Sequence, residues 1–288
     1  MAETAWEVGE PRTLAFDEPV TTLRVRIVDG TVNVVGSEEG SARLEVSAVE
    51  GPPLRVTHEG GTLTVGYDDV PWKTLLKWLD PKGPRRSAVV SLVVPAGARV
   101  EVGAVGANAV VSGIRGTTAL RGVTGDATFV GLSGAVQAET VSGGLEAQAL
   151  TGDLRYQSVS GDLTVIEAAG SAVRAESVSG DMVVDVGEAG GPADIRLTTV
   201  TGEVAIRLPH PADARVEAST AGGTLSSAFE DLRVGGQWGS KQITGTLGSG
   251  AGRLRATTVS GSIALLRRPP ADEDGTPPAA DAPAGKVL

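Results

Sequence analysis

Cysteine is absent from the 288 residues, and with it go disulfides and thiolate metal sites; the redox compartment stays undetermined. Two histidines, His58 and His210, leave little material for a histidine-based metal centre. Aromatic residues make up only 3% of the chain, which fits thin, regular layers better than a bulky core. Positive charge is in the minority: the formal net charge of −10 argues against general nucleic-acid binding. No run of eighteen apolar residues occurs, so the sequence holds no candidate for a membrane-spanning helix. Met1-Ala2-Glu3-Thr4-Ala5-Trp6-Glu7 has neither a basic segment nor an apolar core, and the expectation is a cytoplasmic protein, at most peripheral to the inner face of the membrane.

Glycine is what the chain has in excess, with 40 residues. Between Gly116 and Asp181 it recurs at 116, 125, 134, 143, 152, 161 and 170, a step of nine residues each time. The same phrase surrounds most of these positions: Val123-Thr124-Gly125-Asp126, Leu132-Ser133-Gly134, Val141-Ser142-Gly143, Leu150-Thr151-Gly152-Asp153 and Val159-Ser160-Gly161-Asp162. Val178-Ser179-Gly180-Asp181 follows after a step of ten. A unit this short suits a strand of ~17 Å rather than a helix. Apolar residues fall two before the glycine (Val123, Leu132, Val141, Leu150, Val159) and two after it (Ala127, Val136, Leu145, Leu154, Leu163). A third set lies four after it: Phe129, Ala138, Ala147, Tyr156 and Val165. Thr128, Gln137, Glu146, Arg155 and Thr164 alternate with them and should face water. The glycine is read as absorbing the backbone reversal.

One unit cannot bury its own apolar face, so stacked neighbours must supply the core. The fold class is therefore all-β. The favoured architecture is a β-helix-like solenoid in which two units make a coil of eighteen residues and alternate glycines stack along one edge. The alternative is an antiparallel β meander with a hairpin at each Ser-Gly-Asp. Gly202, Gly223 and Gly245 extend the series at longer steps, each read as a coil with an enlarged corner, as at Leu208-Pro209-His210-Pro211, and Val259-Ser260-Gly261-Ser262-Ile263 ends it.

Three regions follow. Residues 1–100 read as an N-terminal β layer and cap. In it Leu23, Val25 and Ile27 alternate with Thr22, Arg24 and Arg26, and Asp29-Gly30 gives a hairpin signal into Thr31-Val32-Asn33-Val34. Inside this region the texture changes near 71–80. Trp72, Leu75, Leu76 and Leu79 fall on one face of a short amphipathic helix, opened by Pro71 and closed by Pro81. Lys73, Lys77, Lys82, Arg85 and Arg86 make the segment basic, and Trp78 lies off the main stripe. It reads either as a cap on the open end of the stack or as a docking segment for an anionic membrane surface or a partner groove. Residues 101–266 are the repeats. Residues 267–288, rich in Pro, Ala and Asp, cannot form a core and are expected to be disordered.

Candidate chemistry is sparse. Asp126, Asp153, Asp162 and Asp181 follow their glycines directly, without the Gly-Gly-x-Gly-x-Asp phrase of calcium-binding nonapeptides. They read as turn aspartates, and no metal or cofactor is expected. Ser133, Ser142, Ser160 and Ser179 lack a nucleophile elbow and read as turn hydroxyls. A polysaccharide-cleaving site would need a carboxylate pair with aromatic platforms. Glu139, Glu146, Asp153 and Asp162 supply acids, but Phe129 and Tyr156 sit at core positions.

Val94-Pro95-Ala96-Gly97, the Ser/Thr-Gly-Asp units and the closing Thr258-Val259-Ser260-Gly261 resemble the bacterial putative-adhesin family of β-strand-repeat proteins, a domain-of-unknown-function family. The resemblance covers roughly Leu23 to Leu266. It implies a β-solenoid-like fold without an established catalytic activity and supplies no catalytic residues to carry over; some relatives occur beside envelope-stress regulators. The expected function is a non-enzymatic scaffold presenting a sheet face or edge to a protein partner, with Gln137, Glu146, Arg155, Thr164 and Arg174 on its surface. The alternative is a peripheral membrane-associated envelope-stress accessory protein docked through Trp72–Arg86; a polysaccharide-active β-helix enzyme is the minor one.

Overall fold

A computed structural model describes residues 4–67, 85–169, 172–187, 194–237 and 240–269. The expected helix near 71–80, Trp72 to Lys82 of the docking segment and nearly all of the 267–288 tail lie outside them. The described residues are all-β without a helix, arranged as one fourteen-stranded and one twelve-stranded mixed sheet.

The nine-residue period sets this arrangement. β9 (Arg99–Ala104), β11 (Thr118–Gly122), β13 (Val136–Glu139), β15 (Leu154–Gln157), β17 (Ala172–Glu176) and β19 (Asp194–Thr198) are neighbours in the larger sheet. β10 (Asn108–Ser112), β12 (Ala127–Val130), β14 (Leu145–Gln148), β16 (Leu163–Ala168), β18 (Met182–Val186) and β20 (Val204–Leu208) are neighbours in the smaller one. Each unit thus carries the chain from one sheet to the other. Two units return it one strand further on, so neighbours run parallel and eighteen residues apart, Ala109 opposite Ala127 and Ala127 opposite Leu145. The antiparallel meander is corrected: every pairing among β9–β20 is parallel.

Pleating turns alternate residues inward. Leu120, Ala138, Tyr156, Ala175 and Leu197 form a row in register on the inner face of the larger sheet; Phe129, Ala147, Val165, Val184 and Ile206 form one on the smaller. All ten are at most 3% exposed. Alanines flank Tyr156 in its row, so a thin interior holds an aromatic without overpacking. Burying each larger side chain stabilises by about 1.5–3 kcal/mol.

Chain order and spatial order part at both ends. β3 (Thr22–Ile27) pairs with β7 (Thr62–Gly66) and β9, while β4 (Asp29–Ser37) pairs with β8 (Ser87–Pro95) and β10. β3 and β4 therefore lie in different sheets, and the expected Asp29-Gly30 hairpin is a corner instead. Gly30 has a φ of +113° and packs where a Cβ would strike the Ala88 carbonyl, so it serves a close approach to β8. Beyond them β1 (Thr4–Val8) and β6 (Leu54–Glu59) add antiparallel strands to the larger sheet, and β2 (Arg12–Phe16) and β5 (Ala42–Glu50) do so in the smaller. At the other end β25 (Gly252–Thr258) and β26 (Ile263–Arg267) slot between β19/β20 and the earlier β21 (Ala214–Thr220) and β22 (Leu225–Ser227). β24 (Ser240–Leu247) and β23 (Arg233–Gln237) complete the larger sheet antiparallel.

Candidate functional site: corners and the outer face of the larger sheet

Two glycine columns run along the body. Gly116, Gly134 and Gly152 stack at one edge; Gly125, Gly143, Gly161, Gly180, Gly202 and Gly261 stack at the other. From Gly134 onward, a Cβ at each would strike the carbonyl oxygen of the glycine before it in the column. Of these glycines only Gly125 has a positive φ, +102°. Backbone reversal is therefore not why glycine recurs here: adjacent turns approach too closely for a side chain. Gly245 is not in either column; it lies inside β24 opposite Val216.

The two corners differ three residues before the glycine. At the Gly134 edge that residue is left-handed, as in Gly131 (φ 62°) and Ala149 (φ 52°). At the Gly161 edge it is a hydroxyl residue accepting from the glycine N–H: Ser158 to Gly161 at 2.7 Å, Ser177 to Gly180 at 3.0 Å, Thr199 to Gly202 at 3.2 Å and Thr258 to Gly261 at 3.0 Å. Sequence reasoning missed this ladder, although Ser or Thr three before each glycine of that column from Gly143 onward was its signal. Because the hydroxyl points inward, the residue two before the glycine is turned out. Leu132 and Leu150 are buried, whereas Val141, Val159, Val178, Val200 and Val259 are 41–52% exposed, a correction to reading all as core.

The serines just before the glycines bond the adjacent turn rather than their own. Ser142, Ser160 and Ser179 hydroxyls donate to the carbonyls of Val123, Val141 and Val159 at 3.3–3.4 Å. The aspartates do likewise as acceptors: Asp126 from Gly144 N–H at 3.0 Å, Asp162 from Asp181 N–H at 2.9 Å, Asp181 from Glu203 N–H at 2.7 Å, and Asp153 from Ala172 N–H at 3.1 Å. Among the described residues no group of three or more His, Asp or Glu side chains could hold a metal ion.

The carboxylates weighed for glycan cleavage are dispersed and engaged. Glu139, on the larger sheet, pairs with Arg121 at 3.3 Å, and Glu146, on the smaller sheet, accepts from Gln148 at 2.6 Å. Asp153 and Asp162 belong to opposite edges. Phe129 and Tyr156 are fully buried and offer no platform.

Of the residues expected to form a common surface, Gln137, Arg155 and Arg174 are in direct register on the larger sheet, while Glu146 and Thr164 pair on the smaller. The row continues: Arg174 opposes Arg196, Arg196 opposes Arg255, and Arg255 opposes Glu217. Beside it Arg253 lies between Asp194 and Arg215. All six arginines are exposed. Arg174 reaches Asp194 at 2.9 Å and Arg255 reaches Glu217 at 3.3 Å. Arg155, Arg196, Arg215 and Arg253 have no ion pair among the described residues. Paired backbone positions on neighbouring strands lie ~5 Å apart, and like charges at that separation repel by about 1 kcal/mol in water and about 3 kcal/mol at an effective dielectric of 20. Over β19, β25, β21, β24 and β23 the face forms a groove of about 760 Å³. Arg196, Arg215, Arg233, Arg253 and Arg255 line it against Glu217 and Asp231, an excess of positive charge on a protein of net −10. Sequence reasoning had Arg155 and Arg174 but not the rest, because their alignment depends on strand order. Arg85 and Arg86, the described end of the basic docking segment, lie apart from this groove, with the Arg86 guanidinium 5.8 Å from the Tyr67 ring centre.

No protein-family model matches the chain, and no curated protein matches it. Among solved structures it is similar to a putative adhesin from Bacteroides fragilis, at 10% identity and a TM-score of 0.45, covering 89% of this chain and 97% of that one. It is also similar to a putative cell adhesion protein from Clostridium sporogenes, at 10% identity and a TM-score of 0.31, covering 90% of this chain and 100% of that one. Similarity at this level decides neither fold nor function.

Proposed function

We propose that the chain is a two-sided β-solenoid acting as a non-catalytic binding scaffold, which presents the outer face of the larger sheet to an acidic partner. One observation carries the reading: Arg155, Arg174, Arg196 and Arg255 stand in direct register on four neighbouring strands, in a protein whose overall charge is negative. Like charges so aligned raise the energy of the free protein and are relieved by anions. The solenoid reading is supported by parallel pairing at eighteen-residue offsets and by the two glycine columns.

The test is retention on a sulfonated surface at pH 7 and low salt, where a protein of net −10 would otherwise be repelled. Retention that disappears in Arg155→Glu/Arg196→Glu is expected. Flow-through of the unaltered protein would sink the reading.

A further inference from the structure

Resting on the reading above that this face binds, we infer that its ligand is a linear acidic polysaccharide, a chain carrying carboxylate or sulfate groups along its length. It would lie across the strands along the arginine row and end in the groove over β19, β25 and β21. Three features select this chemistry. The first is linearity: Arg155, Arg174, Arg196 and Arg255 repeat at the strand spacing of ~4.8 Å, so cations recur along a straight line instead of converging on one point. A polymer with regularly placed anions can satisfy them together; a single small anion cannot. Asp194, beside the row, and Glu217, within it, pair with Arg174 and Arg255 and leave Arg155 and Arg196 without an ion pair among the described residues.

The second feature is the absence of an apolar anchor. The groove's polar lining is Arg, Glu, Asp, Gln and Thr, and its apolar members Val216 and Leu254 are 4% and 1% exposed, so they form the floor. Protein partners usually supply aromatic or aliphatic hot spots to fully desolvated pockets, and the described residues of this face form none to receive them. The third is the lack of an aromatic residue among the described residues of the lining, so that they offer no stacking platform of the kind single-stranded nucleic acid needs. Arginine also suits carboxylates and sulfates through its planar, two-pronged donor geometry.

The experiment is titration of the full chain with polygalacturonate, with neutral dextran, with poly-glutamate and with single-stranded DNA, at low and physiological salt. Two variants go with it: Arg196→Gln/Arg253→Gln in the groove and Arg12→Gln/Arg43→Gln on the smaller sheet. Circular dichroism checks that each is folded. The expected result is salt-sensitive binding to polygalacturonate and none to dextran. The groove variant should weaken it at least tenfold and the smaller-sheet variant should leave it unchanged. Loss of binding in the smaller-sheet variant alone, or equal affinity for DNA, overturns the inference. Binding to poly-glutamate but not polygalacturonate, through the same arginines, overturns the polysaccharide and leaves the scaffold reading standing. If no polyanion binds through these arginines, both fall.

Discussion

At the residue scale, chemically equivalent positions in the repeat prove unequal. Leu150 and Val159 both sit two before a repeat glycine, yet one is 1% exposed and the other 51%. Leu150→Ala should cost about 2–5 kcal/mol, whereas Val159→Thr should stay within about 0.5 kcal/mol; urea denaturation reads both. Glycine divides in the same way. Gly180→Ala drives a methyl into the Gly161 carbonyl and should cost about 3 kcal/mol. Gly131, with a φ of +62° and open space around it, should lose only about 1–2 kcal/mol on becoming alanine. Asp185 adds a pH dependence. It is 4% exposed, and burial alone would raise its pKa; hydrogen bonds from Arg207, at 2.9 Å, and from Arg268 outweigh this and hold it below the ordinary 3.8. A lowered folded pKa stabilises at pH above the unfolded value and is lost as pH falls through the folded one. The stability gap between the native protein and Asp185→Asn should therefore be constant near neutrality and shrink below about pH 4 in denaturation at stepped pH.

At the element scale, nine residues are the unit of sequence and eighteen the unit of structure. The nine-residue step was legible because glycine and the alternating apolar residues mark it. That the two corners differ was written there too, in Ser158, Ser177 and Thr199 on one side and Gly131 and Ala149 on the other. It went unread because the glycine phrase looked alike at both. This inequivalence has a testable consequence. Deleting residues 127–144 joins Asp126 to Leu145, which already pairs in the adjacent turn, and should leave a folded protein with a cooperative melt. Deleting only 127–135 puts hydroxyl corners in the glycine column that lacks them and exchanges the sheets of every later strand. Calorimetry should show that shorter deletion losing its cooperative transition.

At the scale of the whole molecule, order along the chain and order in space diverge at both ends. β25 and β26 are last in sequence but interior in space, between β19/β20 and β21/β22. In a simple stack, truncation removes only an end unit. Here a chain stopped at residue 251 would leave β19, β20, β21 and β22 without the strands that join them. The expected outcome is an insoluble or non-cooperative protein, read by expression and thermal melting, while a stop after residue 269 should be tolerated.

The amino-acid sequence by itself determined the all-β class, the nine-residue period, and the inward residues two and four after most of the repeat glycines. These follow from local chemistry: pleat alternation and short apolar runs bounded by glycine. Tertiary structure alone decided which strands lie side by side where the period breaks. Arg196 meets Arg255, and Ile195 meets Leu254, across fifty-nine residues of chain. No local pattern encodes such a pairing, because it is fixed by which apolar faces remain to be covered once the regular turns have stacked. The arginine row is a product of that non-local register, and so is the face on which the proposed function rests.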